Sequence, residues 1–333
     1  MQTLAEIRSG KPGFYPDQSI YAAYACAELG LEFEDADGGT GLVFSVASKT
    51  RRIYFGAGRC SWYPQNNATA ATLASDKYFT NVILERAGLA TLGGKYFFLH
   101  ERHRAHRAAG HEANDACDYF RTLGATAFVK PLMGSRGDFA QGISGEAAFA
   151  DYIREVSRYY DSVLIQPLVS GTEYRIFVLD GEVLYTARKY PPYLLGDGLH
   201  PIRDLLATHN AALQARGLSA AAVNAEQDQA LDMVLARGER WEIPGRMNLS
   251  TGGTMVLEEV RSGILPALAR NAVRALGLHV GAVDLFTNIA GETNAQAVIE
   301  VNSNPSIRLL EESSRPDLIL KIWRHTFSAM GLL

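Results

Sequence analysis

The sequence predicts a multi-lobed protein of the α/β (α+β) class. Three observations lead there: 333 residues exceed what one hydrophobic core usually serves, segments of helical spacing alternate with short β-rich runs, and the glycine-rich stretches fall between them rather than within them. Residues 17–29 place Ile20, Ala23, Tyr24 and Ala27 on one helical face, and the β-rich runs 42–47 and 52–55 follow. Together they make a small first lobe with a hairpin, residues 1–72, and 66–74 reads as the connection out of it. Ser75-Asp76-Lys77 opens a helix that Gly88 stops, because a short polar side chain caps the first free N–H groups and glycine tolerates the left-handed exit. In a second lobe, 73–169, the strand Ala127-Phe128-Val129 leads through a glycine-rich loop to a helix at 146–158 and the strand Val163-Leu164-Ile165. A third lobe, 170–333, begins with strands at 174–179 and 182–188 around the turn Asp180-Gly181. It continues with a helix-forming alanine-rich segment at 207–238, an amphipathic helix at 264–276, apolar strands at 280–287 and 296–302, and a last helix from about 315 to 330.

Charge and cysteine content narrow the function. A formal charge of −4 lacks the concentrated basic excess of a phosphate-backbone binder, so small molecules rather than nucleic acid are the expected partners. Cys26, Cys60 and Cys117 are too far apart for a zinc site or a disulfide framework, which points to a reducing, cytoplasmic setting. No segment is long and apolar enough to suggest membrane insertion, and the first residues lack a signal core.

The chemistry-bearing residues cluster at strand ends. Asp284, Glu300 and Asn302 offer two carboxylates and an amide oxygen, hard ligands suited to Mg²⁺ at nucleotide phosphates. Lys130 stands at a strand end before the loop Gly134-Ser135-Arg136-Gly137, where backbone N–H groups can approach phosphate and an ammonium can neutralise it. The extended run Gln166-Pro167-Leu168-Val169 leaves backbone groups for an adenine edge, and Glu173 follows at a distance that suits ribose hydroxyls. Other groupings carry less. His100, His103, His106 and His111 sit among Arg102, Arg104 and Arg107, which repel a cation, so a solvated basic face is expected there. Arg136-Gly137-Asp138 spells an adhesion tripeptide but lies inside the phosphate loop.

At this point the chain resembles the ATP-grasp carboxylate–amine ligases over roughly residues 73–333. The stretch Glu173-Tyr174-Arg175-Ile176-Phe177-Val178-Leu179, the basic pair Arg188-Lys189 before Pro191-Pro192, the Gly196-Asp197-Gly198 turn leading to Ile202-Arg203-Asp204-Leu205, and Asn248-Leu249-Ser250-Thr251-Gly252-Gly253-Thr254 are similar to segments of the cyanophycin synthetases. Glutathione synthetases and ribosomal-protein glutamate ligases share the pattern less closely. The resemblance implies an ATP-grasp fold of three lobes with ATP between the second and third. It implies Lys77 and Lys130 on the phosphates under the loop at Ser135, Gln166, Pro167, Leu168 and Val169 on adenine, and Glu173 on ribose. Asp284, Glu300 and Asn302 would hold two Mg²⁺, with Mn²⁺ as an alternative. Arg188 is assigned to the transferring phosphoryl group with Arg246 and Asn248 beside it; Ala282 stands where several relatives have arginine, so Arg188 or Arg246 would stabilise the oxyanion, and Arg59 and Ser306 are assigned to substrate. The implied reaction joins a small-molecule carboxylate to an amine, amino acids or a short peptide, through an acyl phosphate, giving ADP and phosphate. A stand-alone ligase and a homodimer are the corresponding expectations. The competing readings are a kinase-like phosphoryl transferase and a non-catalytic nucleotide-binding module.

Overall fold

The computed structural model describes residues 2–56, 61–135, 137–215, 230–243, 253–259, 263–292 and 295–333. Three larger sheets and one two-stranded sheet organise them. In the first lobe β1 (Glu32–Asp35), β2 (Val43–Ala47) and β3 (Arg52–Gly56) form an antiparallel sheet in that order, covered by the helix Asp17–Leu29. The helix buries Ile20, Tyr21, Ala22, Ala25 and Cys26 and ends on Gly30, whose φ of 68° closes the last turn.

The second lobe holds a four-stranded antiparallel sheet of β4 (Lys95–Phe98), β5 (Thr126–Pro131), β6 (Gln141–Ser144) and β7 (Ser162–Pro167), ordered β4-β7-β5-β6. The loop after β5 thus returns as a short strand, β6, before the helix Glu146–Val156, where a plain loop was expected. The connection at 66–74 is likewise a helix, Ala68–Ser75, capped by Asn67 through Ala70 N–H. Asp76 then caps the next helix, Lys77–Arg86, accepting from Tyr78 and Phe79 N–H at 2.9 Å. That cap fixes Lys77 at a helix start.

The third lobe carries a five-stranded antiparallel sheet. Its strands are β8 (Thr172–Leu179), β9 (Glu182–Tyr190), β12 (Thr254–Glu258), β13 (Val280–Thr287) and β14 (Gln296–Asn302), ordered β12-β9-β8-β13-β14. Between β9 and β12 lies a small unit of β10 (Tyr193–Leu195), the helix Ile202–Ala215 and β11 (Arg240–Glu242), with its own core of Leu194, Ile202, Leu206, Leu235 and Ile243. The helix expected over 207–238 is therefore the shorter Ile202–Ala215 among the described residues, and 216–229 lie outside them.

Strand alternation gives the large sheet two different faces. One face sends Ile176, Val178, Val283 and Leu285 against the helix Ile264–Ala275, which buries Pro266, Ala269, Ala272 and Val273 at helical spacing. The other face sends Phe177, Tyr185, Ala187 and Ala282 into a cluster shared with the first lobe and the last helix, Pro316–Ala329. Toward the open end of that second face the apolar residues give way to charge.

Candidate active site

The ladder registers decide which side chains meet. Arg175 lies directly opposite both Ala187 and Asp284, Asp284 opposite Glu300, and Ala282 opposite Asn302, so Glu173, Arg175, Asp284, Glu300 and Asn302 share one face. A bulge between Asp284 and Leu285 leaves Ile299 as an extra residue on β14. Lys130, arriving from the central sheet, has its Nζ 3.5 Å from the Ile299 carbonyl. Lys77 donates from Nζ to the Gly134 carbonyl at 2.9 Å. The two lysines and the three oxygen donors thus face one another across the two sheets.

The charges are tightly coupled. Asp284 is 1 % exposed and accepts from Arg175 through both oxygens at 2.7 Å and from Lys189 at 2.8 Å. Burial alone would raise its pKa, but Arg175 and Lys189 outweigh it and hold the carboxyl well below the usual carboxylate range. Lys189 also donates to Glu173. Burial pushes the Glu173 carboxyl up despite that partner, whereas Lys189 is held above its ordinary value because Asp284 and Glu173 outweigh its own burial. Lys130 is the opposite case. Burial pulls its ammonium down to about 8, with Lys77 repelling it, although Glu300 works in the other direction. Lys77 is lowered by burial as well, again against the pull of Glu300.

Arg188 is not part of this cluster. From Leu179↔Glu182 and Val178↔Val183, an unbroken hairpin would set Glu173 opposite Arg188; the register shift between Phe177 and Val178 instead pairs Arg188 with Tyr174. Arg188 therefore points to the far face, beside Tyr174 and Val256, with its guanidinium 4.9 Å from the Tyr190 ring centroid. The cations beside the carboxylates are Arg175 and Lys189, and of the Arg188-Lys189 pair it is Lys189 that faces them. Reasoning from the sequence assigned no role to Lys189 or to Arg175. Alternation from Glu173 marks Arg175 as sharing its face, but the one-residue bulge that selects Lys189 leaves no mark in the residue types.

The remaining assignments divide. Gln166 is fully buried and donates to the Gly93 carbonyl at 2.7 Å, which Asn81 also contacts at 2.9 Å, so its side chain fastens β7 to the 93–94 turn. Pro167 and Leu168 are exposed beyond it, and Val169 is half-buried. Ser135 is exposed, its carbonyl accepting from Asp138 N–H at 3.1 Å, and that loop is held by Tyr160 O–H on Asp138 and Tyr152 O–H on the Phe139 carbonyl, both at 2.7 Å. Ser306 is exposed on the turn after β14. Arg59, Arg246 and Asn248 lie outside the described residues.

The donor set suits a hard cation. No group of three or more His, Cys, Asp or Glu able to take a metal occurs among the described residues; the oxygen donors are two carboxylates and an amide. Among the described residues Asp284 Oδ1 accepts from Arg175 alone and keeps a lone pair, and Asn302 Nδ2 donates to Glu300 Oε1 at 3.2 Å, which leaves its Oδ1 free of that bond. Among the described residues Lys130, buried, has one long carbonyl contact and no ion pair, so an anion seated beside it would be well matched.

No protein-family model matches the chain. Among curated proteins it is 30% identical over 191 residues to the glutathione biosynthesis bifunctional protein GshAB of Mannheimia succiniciproducens, covering 51% of this chain and 25% of that protein. It is 26% identical over 268 residues to the same-named protein of Enterococcus faecalis, covering 74% and 34%. With the cyanophycin synthetase of Trichormus variabilis it shares 26% identity over 260 residues, 71% of this chain and 27% of that protein. The chain therefore spans roughly a quarter to a third of the length of these relatives. Its fold matches a bifunctional glutathione synthetase from Pasteurella multocida at a TM-score of 0.54 and 20% identity, over 91% of this chain and 43% of that one. The chain has the ATP-grasp fold and is a homologue of ATP-grasp carboxylate–amine ligases.

Proposed function

We propose that the chain is an ATP-dependent ligase that joins the carboxylate of an amino acid or short peptide to an amine, through an acyl phosphate, with release of ADP and phosphate. The observation that carries this reading is the single sheet face presenting Asp284, Glu300 and Asn302 toward Lys130 and Lys77 of the other lobe. Transfer of a γ-phosphoryl group to a carboxylate brings two anions together, and fixed cations in a dry site make that approach tolerable. Lys77 and Lys130 would bind the phosphates, Glu173 the ribose, and Gln166 to Val169 the adenine edge. Asp284, Glu300 and Asn302 would hold Mg²⁺, two ions by analogy or Mn²⁺ in their place, which when bound neutralises the β- and γ-phosphates.

The chain's own residues do the rest. Lys189, bonded to Asp284, would meet the charge that builds on the transferring group, and Arg175 would hold Asp284 ionised and oriented. The substrate carboxylate attacks phosphorus and ADP leaves. The amine then attacks the acyl carbon, a tetrahedral oxyanion forms beside the same cations, and phosphate departs as the amine loses a proton. Arg59, Arg246, Asn248 and Ser306 remain assigned to substrate and acyl-phosphate contacts. A cytoplasmic location and a homodimer belong to the same proposal by analogy.

The test is phosphate release from a matrix of amino acids and small carboxylic acids, followed by product mass. ADP is expected only when carboxylate and amine are both present, and ADP formation indifferent to the amine contradicts the ligase. A stable phosphorylated product would favour a kinase instead. Glu300→Ala should lower turnover by about a hundred- to a thousandfold, the scale of losing a group that stabilises the transition state, with an unchanged circular-dichroism spectrum; near-normal turnover in that variant removes the metal site.

A further inference from the structure

The ladder between β13 and β14 ends at the pair Ala282↔Asn302. Beyond it these two strands form no further pair, and the next backbone groups would be left without a rung. One side chain takes them. Asn66, 5 % exposed, accepts from His279 N–H at 2.8 Å and Val280 N–H at 2.9 Å through Oδ1, and donates through Nδ2 to the Val280 carbonyl at 2.8 Å and the Ser303 carbonyl at 3.0 Å. A carboxamide is the one short side chain with both an acceptor and two donors, so it can stand in for a peptide group at the open end of a ladder.

We infer that Asn66 is a positioning residue for the metal-binding strand, fixing Asn302 and Glu300 against Asp284. Asn302 is the last paired residue before the fork, where a strand end would otherwise fray, and Ser303, the residue Asn66 grips, is its immediate neighbour. The same segment sets the phosphate side. Asn67 starts the helix Ala68–Ser75, and that helix leads directly to Asp76 and Lys77. Asn66 thus stands where the chain path to Lys77 is tied to the strands that carry the oxygen ligands. Trp62 N–H on Asn304 Oδ1 at 3.0 Å and Tyr63 O–H on the Pro305 carbonyl at 3.3 Å hold the following turn in the same way. Asn66 touches no ligand position itself, and its effect passes through backbone placement.

The inference rests on the ligase reading for the identity of the site, so its test reads metal binding rather than turnover alone. Mn²⁺ affinity in the presence of a non-hydrolysable ATP analogue is measured by electron paramagnetic resonance for the wild type, Asn66→Ala and Asn66→Asp. Removing a residue that orients ligands costs about tenfold or more in metal affinity, and that loss is expected for both variants, with kcat falling and the KM of the amine little changed. Asn66→Asp keeps the volume and the two acceptor bonds but turns a carboxylate toward two carbonyls, so it decides the matter if the alanine variant does not fold. A folded variant that binds Mn²⁺ within about twofold of wild type overturns the inference. A wild type that binds Mn²⁺ and the analogue but joins no substrate pair refutes the ligase and leaves this inference standing.

Discussion

Lys130 gives the most direct test of what the cleft is built to hold. The residue is 3 % exposed, and burial has pulled its pKa down to about 8. A nucleotide phosphate seated against it would return the pKa toward the ordinary lysine range near 10.4. Binding then takes up a proton whenever the free site has lost one. The sign follows: affinity is full below pH 8 and falls as pH rises through it. With a free-site pKa of about 8, affinity is divided by about 1.1 at pH 7 and about 11 at pH 9, a loss of about tenfold or 1.4 kcal/mol. Calorimetric titration of a non-hydrolysable ATP analogue at pH 7, 8 and 9 reads this directly. Lys130→Met should bind more weakly at pH 7 and show no such decline. A wild-type affinity that is flat from pH 7 to 9, or an equal decline in Lys130→Met, refutes the reasoning.

Two further outcomes separate details of the site. Lys189→Ala should reduce kcat by about a hundredfold or more while Arg188→Ala changes it by less than about threefold, because only Lys189 shares the face of Asp284; steady-state kinetics of the pair checks the assignment. Gly94→Ala should destabilise by about 1–3 kcal/mol in urea unfolding, since its φ is 107° and a Cβ would meet the Ile165 carbonyl oxygen at 2.5 Å, and normal stability in that variant would contradict the close approach of the turn to β7.

Much of the framework was legible because periodicity reports burial. The strands at 280–287 and 296–302 and the helix at 17–29 read plainly, since their apolar residues keep the period of a strand between two layers or a helix against one. The helix Ala68–Ser75 was missed because small alanines give little amphipathic contrast, and β6 because Gln141-Gly142-Ile143-Ser144 reads as loop. The site was legible as a set of types, less so as a geometry. Asp284, Glu300 and Asn302 fall on one face by simple alternation and pairing. Choosing between Arg188 and Lys189 depends on a single bulge between Phe177 and Val178, which is a matter of register and not of composition.

The shared core of the first lobe and the last helix has a mechanical consequence. Trp323, fully buried, packs against Phe44, Phe55 and Tyr63 at centroid distances of 6.2, 6.0 and 6.3 Å, and that cluster continues to Phe177 and Ala282 on the large sheet. The chain's beginning and end therefore weld into one anvil. The central sheet keeps a separate core around Phe97, Phe120 and Phe149, so its packing does not depend on the anvil's. A fragment starting at residue 73 would strip Trp323 of Phe44, Phe55 and Tyr63, leaving it Phe327 at 5.5 Å, and would soften the anvil itself, so the first lobe is a bearing for the large sheet.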